Sequence, residues 1–238
     1  MRKVSADLHL HTCLSPCADN QMQATAIVEQ AIKVGLDMIG ICDHNSAENV
    51  AALVKAGARE DLTVIPGMEV TSSEEVHILG LFDSEKDLML LQDMVYENLP
   101  GENSEAAFGS QYVINEWNEP IEINTRLLVG ATLLSVEQIV DAIHELSGLA
   151  VASHIDRERF GLIGQLGFIP DGLKLDAVEV STSGAVTCEY GYPVISSSDA
   201  HFLDAIGRNH SCFMVEEASF EEIGKALRQE LGRRIISN

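Results

Sequence analysis

The 238-residue sequence predicts an α/β fold of parallel βαβ units with seven or more strands, most simply closed into a barrel. Three observations predict it. Short apolar runs alternate with runs of helical period almost throughout. Glycine and proline punctuate the joins. Acids and histidines gather at the ends of the strand-like runs, where barrel enzymes assemble their sites.

Taken in order, Val4 to Leu10 reads as a strand. Ala24, Ile27, Val28, Ala31 and Ile32 keep the helical period up to Gly35. Met38 to Cys42 is a short apolar strand, and Ala47 to Ala56 a helix closed by Gly57. Leu62 to Ile65 is a strand stopped by Pro66-Gly67. Val76 to Phe82 is a strand and Glu85 to Tyr96 a helix. Ser135-Val-Glu-Gln138 has the form of a capping box, opening a helix with Ile139, Val140, Ile143 and Leu146 inward. Leu149 to Ala152, Ala177 to Val180, Val194 to Ser197 and Cys212 to Val215 are further strands. Ser219 caps a last helix through Leu231. Two polar stretches interrupt this rhythm. Residues 99–132 form a variable insertion in which Gln111 to Ile114 and Pro120 to Ile123 pair as a hairpin, and the second runs from Phe160 to Lys174. Such excursions at strand ends often shape a substrate pocket. The expected organisation is one domain over 1–238.

Composition narrows the function classes. A hydrophobic fraction of 46% is ample for a core, while 37 acidic against 15 basic residues give a formal charge of −22. A surface that negative repels polyphosphate backbones, so no extended nucleic-acid duplex is expected as a partner. Five cysteines (Cys13, Cys17, Cys42, Cys188, Cys212) with no C-x-x-C pair suit a reducing cytosol, although Cys13 and Cys17 lie near the histidine segments, where a thiolate ligand is conceivable. The N-terminus runs straight into a strand without a signal peptide, and no apolar run is long enough for a membrane span, so the expected location is cytoplasmic.

Six segments carry the chemistry: Asp7-Leu-His9-Leu-His11, Asp43-His44, Glu69, His77, His154 and Asp199-Ala-His201. They hold six of the eight histidines. Alternate residues of a strand share a face, so Asp7, His9 and His11 point one way, and Asp199 with His201 repeats that pattern. Histidine with carboxylate binds zinc, manganese or iron and can hold more than one ion. Asp7 and Asp43 are placed as acceptors for ligand N–H groups. His144 and His210 are bystanders, the first on the surface.

At these residues the chain resembles the PHP (polymerase and histidinol phosphatase) family of metal-dependent phosphoesterases. The motifs are DLHLHT at 7–12, ICDHN at 41–45, PGMEV at 66–70, SHID at 153–156 and SSDAH at 197–201, in the family's order. The resemblance implies a distorted (β/α)7 barrel holding three divalent ions, zinc, manganese or iron, at the C-terminal ends of the strands. It implies that His9 and His11 bind the first ion, that Glu69 bridges two, and that His44, His77, His154, Asp199 and His201 complete the cluster. Asp19 is the candidate for a further ligand after the first motif, at a longer spacing than in many relatives. Ile155 replaces a common proline.

The implied reaction is hydrolysis of a phosphate ester by metal-held hydroxide, with His9, His11, Glu69, Asp199 and His201 as its catalytic set. The partner would be a small-molecule phosphate ester, including nucleotides. Arg157 and Arg126 are the candidate phosphate contacts, with Arg159 and Arg208 also near the motifs. Other readings are an exonuclease or oligonucleotide phosphodiesterase, a histidinol phosphatase, an amide hydrolase, and a non-catalytic metal-binding regulatory module.

Overall fold

Strand β1 (Arg2–Leu10) has three different neighbours along its length, and these define the sheet. The computed structural model describes residues 1–181 and 191–236. Around the barrel β1 is followed by β2 (Met38–Ile41), β3 (Thr63–Thr71), β4 (His77–Leu81), β7 (Leu149–Ala152), β8 (Ala177–Val180) and β9 (Val194–Ser196). The circuit nearly closes at its upper end. There the His11 amide donates to the Ala200 carbonyl at 3.0 Å, beside a parallel bridge of Leu10 to Ala200. Lower down, β10 (Ser211–Val215) lies antiparallel to β1, and its Ser211 hydroxyl ties the backbone of Ser196 at 2.7 and 3.0 Å. An edge strand that the sequence pattern did not reveal, β11 (Arg234–Ile236), adds on outside β10. Seven strands thus line a distorted α/β barrel, as expected.

One strand breaks the parallel order. β4 runs antiparallel to both β3 and β7. Pro66-Gly67 does not end β3, which passes through it to Thr71. The proline offers no N–H to the ladder there, while its carbonyl accepts from Phe82 N, at 2.8 Å. Gly67 is required by close approach: a Cβ would meet Cys42 Sγ at 2.7 Å and the Ile41 carbonyl at 3.0 Å.

The helices α1 (Ala24–Lys33), α2 (Val50–Arg59), α3 (Glu85–Glu97) and α5 (Val136–Glu145) belong with Ile39, Ile41, Met68, Val70, Ile78 and Val178 to one large cluster on the outer face. The capping box at Ser135 and Gln138 forms as expected. Two short helices, α4 (Glu105–Phe108) and α6 (Leu162–Leu166), lie in the polar stretches. α7 (Phe220–Leu227) stops four residues earlier than its pattern suggested, since Gln229 and Leu231 take positive φ of 56° and 51°. It covers the second cluster, which lies inside the barrel and includes Leu8, Met38, Ile65, Leu79, Val151, Ala177 and Ile195. The insertion forms the hairpin β5 (Gln111–Ile114) and β6 (Pro120–Asn124), held where Asn49 Nδ2 donates to the Tyr112 carbonyl at 3.0 Å.

The inward positions explain where the site lies. Ile65, Gly67 and Glu69 share one face of β3, Leu79 and His77 one face of β4, and Ala177 and Glu179 one face of β8. In each, the lower residue joins the apolar interior and the upper one is polar. The barrel is therefore apolar below and carries acids and histidines at its upper rim. Cys188 lies outside the described residues.

Candidate metal centre

All six motif segments reach the upper rim. His11 just follows β1, His44 follows β2, Glu69 lies near the end of β3, His154 follows β7, and Asp199 and His201 follow β9. His77 begins a strand instead of ending one, and the reversal of β4 puts that beginning on the same rim. His154 and Asp199 take positive φ of 28° and 50°, a conformation costly for residues other than glycine and concentrated at functional sites.

Glu69 is the hub. Its carboxylate is 1% exposed and lies 2.9 Å from His44 Nδ1 and 2.9 Å from His77 Nδ1. His154 Nε2 is 3.3 Å away, His9 Nε2 3.4 Å and His11 Nε2 3.5 Å. Despite this crowding, neither Glu69 oxygen makes a hydrogen bond of acceptable geometry, nor do His44 Nδ1, His77 Nδ1 or His154 Nδ1. Buried polar atoms left this way cost about 1–3 kcal/mol each unless something else satisfies them.

The outer partners fix two ring tautomers. His9 Nδ1 lies 3.0 and 3.2 Å from the two Glu179 oxygens, so it carries the proton and leaves Nε2 bare. His11 Nδ1 lies 3.0 Å from Ser15 Oγ, which donates its own proton to Asp43 at 2.6 Å and therefore accepts from the ring. His11 Nε2 is then bare as well. The two Nε2 atoms are 3.1 Å apart, and His11 Nε2 is 3.0 Å from Asp199 Oδ1. Lone pairs converging at that distance repel unless a proton or cation stands among them. Three overlapping groups meet the spacing of a metal site, with ligand atoms within 4.8 Å: His9–His11–Asp199, His11–His44–His201 and His44–Glu69–His77. Buried nitrogen and carboxylate donors without partners of their own fit a zinc, manganese or iron ion.

Charge within the cluster follows the same logic. Burial works against charging Glu69, but His77, His9 and His44 outweigh it and hold the carboxyl well below its ordinary range. Burial likewise opposes protonation of His9 and His44. The carboxylates of Glu179, Glu69 and Asp199 overcome it at His9, and Glu69 at His44, so both rings titrate well above the usual value. His11 moves the other way, through burial and its neighbours His201 and His44. The raised pKa of His9 and His44 favours a further proton on these rings, and a cation that takes a ring nitrogen displaces any proton held there. Apparent metal affinity is therefore expected to rise with pH from about 6 to 8, with net proton release on binding. Calorimetry in buffers of different ionisation enthalpy measures that release, and an affinity that falls with pH would contradict the assignment.

Several expected site residues lie elsewhere. Asp7 does not share the face of His9 and His11. The β1–β2 register shifts between Asp7 and Leu10, so Ala6 and Leu8 point inward while Leu10 points outward. Asp7 instead accepts the amides of Ser198 and Gly207, both at 2.9 Å, and anchors the segment that carries Asp199 and His201. Burial pushes its carboxyl up to about 6. Asp43 reaches His11 only through Ser15. Asp199 and His201 are not on a strand, since β9 ends at Ser196. Asp19 falls outside all three ligand groups, and its carboxylate accepts the Gln21 amide at 2.8 Å. Arg126 lies over the Tyr96 ring, 4.0 Å from its centre, and is not among the residues lining the metal cleft.

Arg157 does reach the site, pairing with Asp199 Oδ2 at 2.5 Å. It lines a cleft of about 310 Å³ with Cys17, Arg159, Phe160 and the histidines. The insertion at 99–132 contributes Gly109 and Ser110 to the neighbouring depression beside Asp19. His144 is half-buried rather than superficial, paired with Asp176 at 2.9 Å, and like His210 is outside the ligand groups. The acceptor for His9, Glu179, went unnoticed in the sequence. A lone acid at an inward position of the apolar strand Ala177–Val180 was the available signal. No helix among the described residues is long and apolar enough to cross a membrane.

Comparison with known proteins agrees with this geometry. The PHP domain model matches residues 7–168 and the PHP-associated model residues 183–230. An uncharacterised Bacillus subtilis protein, YqxK, is 23% identical over 275 aligned positions, covering 100% of this chain and 65% of the relative. A phosphoribosyl 1,2-cyclic phosphate 1,2-diphosphodiesterase from Eggerthella lenta is 31% identical over 80 residues, 32% of this chain and 29% of that protein. In fold, the lesion-specific endonuclease Q of Pyrococcus furiosus superimposes with a TM-score of 0.76 at 22% identity, over 98% of this chain and 58% of that one. A Bifidobacterium adolescentis protein, assigned provisionally to the metal-dependent phosphoesterases, gives 0.56 at 21%, over 86% and 91%. This chain thus spans less than two thirds of YqxK and of the endonuclease.

Proposed function

This chain belongs to the PHP family, whose domain model spans residues 7–168, and on that premise we propose that it hydrolyses a phosphate ester of a small molecule or nucleotide at a three-ion centre. The observation that carries this reading is the buried Glu69 carboxylate, faced by five histidine rings and satisfied by none of them through a proper hydrogen bond. Bound divalent cations would supply Lewis acidity and a water molecule of lowered pKa.

The chain's own residues do the rest. His9, His11, His44, Glu69, His77, His154, Asp199 and His201 hold the cations in place. Glu179 and Ser15 aim the first two rings. Arg157, 42% exposed beside the cleft, orients a non-bridging phosphate oxygen, and Arg159 lies on the same wall. The whole chain acts as one PHP-type unit in a reducing cytosol, with 99–132 as its insertion.

The Eggerthella lenta relative acts on a cyclic phosphodiester by its name, which keeps diesters beside monoesters as substrates here. A second reading, cleavage of short oligonucleotides, draws on Phe160. Its ring stacks on His77 at 4.6 Å, 38% exposed at the cleft, a platform on which a base can stack. The endonuclease-like fold keeps a DNA substrate within the test. The formal charge of −22 disfavours long duplexes.

The test is a substrate panel. Protein loaded with manganese or zinc is assayed on an aryl phosphate, nucleoside monophosphates, cyclic dinucleotides, short oligonucleotides and a lesion-bearing duplex, with His9→Ala as control. Turnover of no phosphoester by metal-loaded protein would sink the proposal. On the best substrate, Arg157→Ala is expected to raise KM by about tenfold, the scale of one charge-assisted hydrogen bond. Arg126→Ala is expected to leave it unchanged, because that guanidinium is engaged by Tyr96. Equal effects of the two substitutions would remove Arg157 from the phosphate contact.

A further inference from the structure

We propose that Cys17 supplies a thiolate ligand to the metal centre, beside His44 and His201, so that this end of the cleft takes a thiophilic cation such as zinc, iron or cobalt in preference to manganese. The proposal rests on the metal-centre reading above and sharpens which ions it selects.

Cys17 sits in the turn between β1 and α1, which folds back onto the rim. The Ala18 amide donates to the Ser15 carbonyl and the Asp19 amide to the His201 carbonyl, both at 2.9 Å. The turn thus places Cys17 on the wall of the same cleft as His44, Glu69, His77 and His201. The other described cysteines differ: Cys13, Cys42 and Cys212 are buried away from the cleft, and Cys42 donates to the Leu8 carbonyl at 3.4 Å.

A second observation points to a ligand independently. His44 is 8% exposed on the wall of this cleft, and its Nδ1 faces Glu69 at 2.9 Å without a hydrogen bond of acceptable geometry; neither Glu69 oxygen, on the same wall, has a partner of its own. Charge gives a reason for an anion here. The group His11–His44–His201 offers three ring nitrogens and no carboxylate, whereas each of the other two groups contains one. Asp19, the residue the sequence offered for this corner, directs its carboxylate to the Gln21 amide instead. In its present rotamer Cys17, like Asp19, is outside the three ligand groups; turned inward from the cleft wall, its thiolate completes an S/N set of four, the arrangement that zinc favours and that selects softer cations over manganese. On binding, the thiol S–H bond breaks, the sulfur–metal bond forms, and the proton passes to solvent; no electron is transferred.

Cobalt(II) reports the bond directly. The metal-depleted full chain, loaded with cobalt, is expected to show a near-ultraviolet sulfur-to-cobalt charge-transfer band. Cys17→Ser and Cys17→Ala should lose it, and Asp19→Asn should keep it. In competition assays Cys17→Ser should weaken zinc binding by at least about tenfold while changing manganese binding far less. Cobalt bound by the wild-type chain without the band, or a band that persists in Cys17→Ala, would overturn the ligand assignment alone. If elemental analysis finds no zinc, cobalt or manganese bound, the metal centre itself fails and the assignment with it.

Discussion

Glu69→Gln is expected to abolish phosphoester hydrolysis to below about one hundredth of the wild-type rate and to reduce the metal bound per chain. The factor is a lower bound, because removing an outer partner of a metal ligand already costs about 10–100-fold, and Glu69 is at the centre of the donor cluster. Its two oxygens face five histidine rings, with approaches from 2.9 to 3.5 Å. A glutamine of the same shape would replace one oxygen by an N–H₂, which can neither bind a cation nor accept from a ring N–H. Without the charge, cations gathered by neutral imidazoles would also lose their main compensating anion. Elemental analysis and the panel assay on the same preparation check both parts. His144→Ala is the control, since that ring pairs with Asp176 away from the cluster. Full metal content and full activity in Glu69→Gln would remove it from the site.

Much of this site was legible because ligand-bearing residues sit at strand ends and strand ends are visible as apolar runs. His44, His154 and the Asp199–His201 pair were found that way. What the pattern could not convey was direction and local register. His77 looked anomalous at the start of a strand, and only the reversal of β4 puts it on the common rim. Asp7 looked like a member of the His9 and His11 face. The register shift in β1 turns it outward, where it holds the Ser198–Gly207 segment by two amides. A period-of-two argument fails wherever one residue is inserted into the ladder, and such bulges are frequent beside active sites.

Asp19 and Cys17 show a different limit. The turn from Ser15 to Met22 has no periodicity, and the choice of which side chain enters the cleft is made by backbone hydrogen bonds within that turn. Arg126 was placed near the pocket because the insertion was expected to shape it. The hairpin packs its residues against Leu14, Leu99 and Leu128 instead, leaving Arg126 stacked on Tyr96.

Glu179 gives the second large effect, and two substitutions separate its roles. Glu179→Gln is expected to lower metal affinity by about 10–100-fold while leaving the fold intact. The amide oxygen can still accept from His9 Nδ1, so the ring keeps its orientation. The lost negative charge makes His9 a poorer donor through Nε2. Glu179→Ala removes the acceptor altogether, and with it the bond from the His154 amide at 3.3 Å. Two buried donors are then left without partners, at about 1–3 kcal/mol each, so this variant should also show a lowered melting temperature in chelator. If Glu179→Gln matched wild type in metal affinity, the carboxylate would be structural only. If both variants lost metal equally with no difference in melting temperature, Glu179 would provide the ring's donor strength and not its orientation. The contrast matters because Glu179 touches no position where substrate could bind. It lies beneath His9, 1% exposed, and any effect it has on hydrolysis must pass through that imidazole or through the His154 backbone that it also holds.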